Sequence, residues 1–243
     1  MKHILKKSLR YIKSFTTGLY VVPQTMEHLK NIRVYESELL INDLSKNTSI
    51  LEIGAGAGWQ AEVLNAHGYD VQAIDIMDTN YKESQVFPVI DYDGHKIPFK
   101  NNAFDVVFSS NFLEHIPHIV EFQMEIRRVL KDDGICIHLL PTSSWRFWTN
   151  LTVMLKKLKF ASVHGETASN ILSELYYFSK GYWDKLFLNS GWKIKQYKSN
   201  KIFYTGASLM DNRLSIKQRK KLSKYLGSSC HYYILTKDNK CIA

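Results

Sequence analysis

Ser49-Ile-Leu-Glu-Ile-Gly-Ala-Gly-Ala-Gly-Trp59 is the stretch on which the reading of this chain turns. Ile50, Leu51 and Ile53 read as a buried strand, and glycine then stands at 54, 56 and 58. Without Cβ atoms the backbone there can approach a ligand closely and enter φ > 0 without strain. A helix follows, with Trp59, Val63 and Leu64 as its apolar positions. Strand, glycine loop and helix in that order is the context that gives such a loop meaning. The spacing discriminates between ligands. A dinucleotide fingerprint counted from Gly54 needs a third small residue at position 59, where Trp59 stands. The phosphate-loop pattern ending in Gly-Lys-Ser/Thr is absent. What remains is acid-x-G-x-G-x-G, with Glu52 in the acidic place and Ala55 inside the loop.

Outward from the loop, Tyr69-Asp-Val-Gln-Ala-Ile-Asp75 alternates and ends in an acid, followed by Ile76. An acid about 20 residues past the glycine loop, at the end of a second strand, can accept both hydroxyls of a ribose. Next come Val89-Ile-Asp-Tyr-Asp-Gly-His-Lys-Ile-Pro-Phe99 and Asn102-Ala-Phe-Asp-Val-Val-Phe-Ser-Ser110, then Asn111, Leu113-Glu-His115 and Arg128-Val-Leu-Lys-Asp-Asp-Gly134. From about Ser49 to Pro141 this series resembles the motifs of class I S-adenosylmethionine (SAM) methyltransferases, in their broad type 11 branch. The resemblance implies a Rossmann-like α/β fold: a seven-stranded, mostly parallel sheet with helices on both faces and an added helical cap. It implies SAM as cofactor, with Glu52, Gly54, Ala55, Gly56, Gly58, Asp75, Ile76, Asp93, Gly94 and Asn111 as its binding residues. In that family an Asp several residues before Pro-Phe reaches the adenine; Asp93 matches the spacing best and Asp91 is the alternative. Asp132-Asp133-Gly134 departs from the usual Pro-Gly-Gly and reads as the same helix-ending turn made with other turn-formers.

The core alternates strand and helix at Ile50–Ile53, Ala61–Ala66, Val71–Asp75, Val86–Ile90, Val106–Ser109, Val120–Leu130 and Ile135–Leu140, with closing strands near Gly191–Tyr197 and His231–Thr236. That alternation implies a parallel sheet. Residues 49–243 form the SAM-binding domain on this reading, with insertions at 142–180 and 201–229 and a helical extension over 1–48. In that extension Ile4, Leu5, Leu9, Ile12 and Leu19 line one side of a basic helix. Such a helix suits an anionic membrane surface or a lid over the cofactor.

The 243 residues carry a net charge of +9, which asks for a polyanionic neighbour or a solvated basic surface. The basic runs are Lys2–Lys13, Lys156–Lys159 and Arg213–Lys224. No RNA-binding module is recognisable, so nucleic acid is not the expected partner. Three cysteines without C-x-x-C spacing argue against a disulfide framework or zinc site. No run is apolar for the roughly 18 residues of a membrane span, and no signal peptide is recognisable. The expected location is cytoplasmic, with peripheral contact to the inner face of the membrane as the finer expectation. No metal is expected, because no H-x-x-x-H, C-x-x-C or clustered carboxylate motif occurs.

Methyl transfer from SAM requires an acceptor atom held in line with the methyl group. An oxygen acceptor of high pKa also requires a base. His115, beside the cofactor, and His164, in His164-Gly165-Glu166, are the catalytic candidates. Trp145, Arg146 and Glu166 are the substrate-binding candidates, Arg146 as a grip for phosphate or carboxylate. The segment Pro141–Trp148 with His164-Gly-Glu166 is similar to bacterial methyltransferases associated with surface-polysaccharide synthesis. That resemblance implies O-methylation of a sugar or sugar-linked intermediate. A quinone or lipid methyltransferase and a non-catalytic SAM-binding scaffold are the alternatives.

Overall fold

The computed structural model describes residues 26–76, 81–158, 161–206 and 213–238. The expected helix over residues 2–20 and Cys241 lie outside them. Seven strands form one sheet: β1 (Ser49–Ile53), β2 (Asp70–Ile76), β3 (Ile90–Tyr92), β4 (Phe104–Ser110), β5 (Leu130–Pro141), β6 (Trp192–Ser199) and β7 (Cys230–Lys237). Their order is β3-β2-β1-β4-β5-β7-β6. β1 to β5 run parallel, and β7 lies antiparallel between β5 and β6. This is the Rossmann-like class I methyltransferase architecture.

Helices cover both faces because the central strands are apolar on both sides. α1 (Met26–Ile41), α2 (Trp59–Ala66) and α7 (Ile216–Leu226) lie on one face, where Ile32, Leu40, Ala61 and Leu64 meet Ile50, Val106, Phe108 and Ile137. α3 (Ile119–Val129) and α6 (Lys180–Asn189) cover the other. In α3 the residues Ile119, Phe122, Ile126 and Val129 recur at helical spacing and are all buried, while Val120 and Met124 face water. α4 (Ser143–Lys157) and α5 (Ile171–Tyr177) follow β5 and form the cap. Thr142 caps α4 by accepting the Trp145 N–H at 3.0 Å, and Asn170 with Ser173 forms a capping box on α5. No helix among the described residues is long and apolar enough to cross a membrane.

Two local expectations are corrected. The third strand is Ile90–Tyr92 and does not include Val86–Val89. The apolar residues there serve the glycine loop instead: Val86 N–H donates to Ala57 O at 2.9 Å, and Phe87 packs against Gly58. Asp132-Asp133-Gly134 is no helix-ending turn. α3 passes straight into β5, and Leu130 pairs with Phe104 while Ile135 pairs with Val106. Residues 131–134 therefore bulge out opposite Asp105, whose carboxylate takes Lys131 Nζ at 2.7 Å and Ser49 Oγ at 2.6 Å. These donors hold Asp105 down at a pKa of about 2.

Candidate active site

The C-terminal ends of β1 and β4 open on a cleft with about 460 Å³ of empty space, lined by Gly54, Ala55, Gly56, Tyr81, Ser110, Asn111, Arg33 and Leu29 among others. Ligands of open α/β sheets bind at this end. The loop is held from below: Gly54 and Ala55 N–H both donate to Ile74 O, at 2.9 and 3.1 Å. Gly54 has φ +72°, and a Cβ on it would come within 2.3 Å of the Phe112 ring. Only glycine permits this approach of β1 to the segment after β4.

Asp75 is buried and organises the loop. Its Oδ2 accepts Gly56 N–H at 2.7 Å and its Oδ1 accepts Ile76 N–H at 2.8 Å. Ile76 is exposed beyond it and lies 3.5 Å from the position a Gly94 Cβ would take. The structure thus brings Asp75, Ile76 and Asp93-Gly94 to one edge. Asp93 Oδ1 accepts the His95 and Lys96 N–H groups, each at 2.8 Å. These hydrogen bonds hold its carboxyl below the usual range. Asp91, the alternative, is paired with Lys82 at 2.6 Å.

Four of the expected cofactor and substrate residues stand elsewhere. Glu52 does not line the cleft; it is buried beneath the loop and accepts the Ala61 N–H, and burial raises its pKa to about 8. Its place on β1 puts the side chain under the start of α2, where it supports the turn. Arg146 is no free grip for an anion: its guanidinium is buried, ion-paired with Glu174 and bonded to Ser162 O at 2.5 Å. Trp145 is a core residue at 7% exposure, although its ring forms a wall 5.0 Å from that of His164. Gly58 likewise faces Phe87 and not the cleft.

The sequence reading missed Arg33, Tyr81 and Gln60, which line the cleft. Arg33 comes from α1 and donates to Glu36 at 2.6 Å and Ser110 Oγ at 3.1 Å. With the Asn111 amide turned so that its oxygen meets donors, that oxygen accepts Arg33 at 2.7 Å. Burial opposes the charge on Arg33, but Glu36 outweighs it and keeps the guanidinium protonated. Glu36 also accepts Asn200 Nδ2 at 2.9 Å. Tyr81 stands over Gly56, where a Cβ would sit 3.2 Å from its ring.

Beyond Asn111, the turn Leu113–His115 meets the loop at 162–166. Glu166 N–H donates to Glu114 O at 3.0 Å. A Cβ on Gly165 would lie 3.0 Å from that same oxygen, so the close approach of the loop depends on glycine. Glu174 fixes the loop from behind by accepting the His164 and Gly165 N–H groups. His115 and His164, expected from sequence as the catalytic pair of candidates, come together with ring centroids 4.8 Å apart. Burial lowers both imidazole pKa values, that of His164 to about 4 with His115 and Arg146 adding to the effect. Both rings are therefore neutral at pH 7. The Glu166 carboxylate acts the other way on His115 and is itself exposed. Glu114 is 3% exposed and neither carboxyl oxygen has a hydrogen-bond partner; burial lifts its pKa to about 8.

The comparisons with known proteins agree with this geometry. Residues 51–138 match the family model described as a methyltransferase domain. An uncharacterised protein of Methanocaldococcus jannaschii is 33% identical over 111 residues, 44% of this chain and 43% of that protein. A ubiquinone biosynthesis O-methyltransferase of Rickettsia canadensis is 30% identical over 105 residues, 40% of this chain and 43% of the relative. The chain thus spans less than half the length of these curated relatives. Among solved structures, a SAM-dependent methyltransferase from Archaeoglobus fulgidus superposes with a TM-score of 0.56 at 15% identity, covering 86% of this chain and 94% of the other.

Proposed function

We propose that this chain, which carries a class I SAM-dependent methyltransferase domain, transfers a methyl group to an oxygen of a small-molecule or glycan acceptor, foremost a sugar or sugar-linked intermediate. The observation that carries the reading is the junction at the end of β4. The cleft of bare glycine backbone, Arg33 and Asn111 is followed, four residues past Asn111, by His115, whose ring meets that of His164 at 4.8 Å.

The residues present fit the cofactor. Arg33 suits its carboxylate, the loop backbone at Gly54–Gly56 its methionine chain, and Asp75 its ribose. Ile76 and Gly94 would flank the adenine, with Asp93 on the same turn. Bound there, SAM supplies an electrophilic methyl group with a neutral leaving group. The chain's own residues then have two tasks. The turn at Leu113–His115 and the loop at 162–166 position the acceptor beside the cleft. His164, neutral and exposed, is placed to take the acceptor's hydroxyl proton, with His115 shaping the site. Exposed Glu166 offers an acceptor for sugar hydroxyls.

A quinone or lipid acceptor is the second reading. The exposed apolar side chains on the cap, Leu158 at 81% and Leu172 at 78% among them, favour it. Calorimetry with SAM and transfer of a labelled methyl group to sugar, quinone and RNA pools test the proposal. Asp75→Ala should weaken SAM by at least about tenfold, since a lost charged hydrogen bond costs roughly 1.5–3 kcal/mol. Preference for a nicotinamide dinucleotide overturns the whole reading. Labelling of quinones and not sugars moves the acceptor to the second.

A further inference from the structure

Glu114, His115 and His164 each offer a ligand atom, and these atoms all lie within 4.8 Å of one another. His115 Nε2 and Glu114 Oε1 stand 3.9 Å apart. The three residues come from two segments far apart in sequence, so no motif of fixed spacing announces them. Both carboxyl oxygens of Glu114 are buried without a hydrogen-bond partner. A buried polar group normally finds one. A ring nitrogen of each imidazole lies within 4.8 Å of a Glu114 carboxyl oxygen.

We propose that Glu114, His115 and His164 form a binding site for one divalent transition-metal cation of the zinc class, where the turn after β4 meets the cap. The donor set is two imidazoles and one carboxylate, the combination found in catalytic zinc sites that keep a fourth position open. Ligand bonds of about 2.1 Å place tetrahedral ligand atoms about 3.4 Å apart. The 3.9 Å pair is close to that value already. The other pairs, all within 4.8 Å, can adjust by rotation of His115 and His164, whose side chains are exposed. The carboxylate is anchored by its burial, and the His164 loop by Glu174 and by the bond from Glu166 N–H to Glu114 O. The ion would thus tie the turn after β4 to the cap. With an ion bound, His164 would be a ligand and not the base; an acceptor oxygen is the natural occupant of the open position, and the ion would itself lower the pKa of that hydroxyl. The site replaces the expectation, drawn from spacing alone, that no metal is held. In assigning the open position to an acceptor it rests on the methyl-transfer reading, but ion binding itself does not need that reading.

The test uses the full chain without an affinity tag, with Zn²⁺ as probe and SAM binding as the control for an intact fold. Calorimetry should show one equivalent of Zn²⁺. Its affinity should fall at least tenfold in Glu114→Gln and in His164→Ala, while SAM affinity stays within about twofold in both. Co²⁺ substitution should give a visible absorption band that both substitutions remove. The second histidine pair, His95 and His118, stacks with centroids 4.3 Å apart and is the adventitious alternative. No Zn²⁺ uptake by a chain that binds SAM overturns the site. So does uptake unchanged in both variants, or uptake lost in His95→Ala. Zn²⁺ binding as described with no methyl transfer to any acceptor would leave the site and remove the proposed function instead.

Discussion

The cofactor side and the cap side each set an arginine against a buried glutamate, and the two pairs differ in what else they face. Arg33 meets Glu36 and Ser110 at the rim of an open cleft. Glu36 has a second donor in Asn200. Arg146 meets Glu174 where both side chains are at most 2% exposed, and their remaining contacts are to the backbone of the loop at 162–165. One pair borders an open cleft and the other is turned on itself. An arginine between aromatic residues therefore need not be a binding residue; what decides is whether its acid partner leaves it any open side.

Removing one member of each pair should separate the two roles, and the cap should suffer more. Glu174→Ala strips the charge partner from a buried guanidinium and leaves the loop N–H groups without an acceptor. Breaking a buried pair in this way costs about 3–5 kcal/mol. A urea melt should show that loss. A loss under about 1 kcal/mol would break the comparison, because the pair would then not hold the cap.

The next largest effect is a pH dependence that belongs to neither side. His138 on β5 lies fully buried between Ser109 Oγ at 2.7 Å and Cys136 Sγ at 3.0 Å, stacked on Phe187. Burial lowers its pKa to about 3. An unfolded chain binds a proton there near the ordinary value of about 6.5, so between these values the unfolded state holds the extra proton. The stabilisation is complete above about pH 6.5 and is lost as pH falls towards 3, at up to about 1.4 kcal/mol per pH unit. Stability measured by denaturant between pH 7 and 4 should show this slope, and His138→Gln should flatten it. An equal slope in the variant would assign the acid sensitivity to other groups.

On the cofactor side, Arg33→Met should act on the ligand before the fold. Loss of a charged hydrogen bond to the SAM carboxylate costs roughly 1.5–3 kcal/mol, about a tenfold to hundredfold weaker Kd. Glu36 keeps its bond from Asn200, so the unfolding free energy should fall less than in Glu174→Ala. A variant that binds SAM normally would take Arg33 out of the cofactor site and sharpen the question of what faces that carboxylate.

Much of the cofactor half was legible because its signals are local. A strand, a glycine loop and an acid at the end of the next strand are read within one run of residues, and the fold sets Gly54, Gly56 and Asn111 along the cleft, with Asp75 bonded to the Gly56 N–H. Glu52 belongs to the same run, yet spacing could not say whether it points into the cleft or under the loop. Arg33 was illegible for a different reason. It enters from α1, and no pattern in α1 marks a residue that will meet Ser110. The cap was half legible: His115 and His164 were singled out separately, but only the tertiary fold brings them together beside Glu114. Arg146 was misread because its partner, Glu174, sits on a helix whose packing no sequence period specifies.

The smallest effect tests how α1, and with it Arg33, is held in place. The basic run of α7 suggests a surface for an outside polyanion, but part of it is spent inside the molecule. Arg219 is buried at 2% exposure and donates to Phe203 O at 3.0 Å. Lys220 Nζ stands 4.7 Å from the centroid of the Tyr35 ring on α1, and Tyr35 in turn donates to Asn200 O at 3.0 Å. A cation over an aromatic face at such a partly exposed site contributes about 0.5–1 kcal/mol. Lys220→Ala should therefore lower stability by about that amount and leave SAM affinity within about twofold, whereas Lys224→Ala on the same helix should leave both unchanged. If both substitutions are silent in stability and both weaken binding to anionic vesicles, the run faces outward as a whole and α1 is held without help from Lys220.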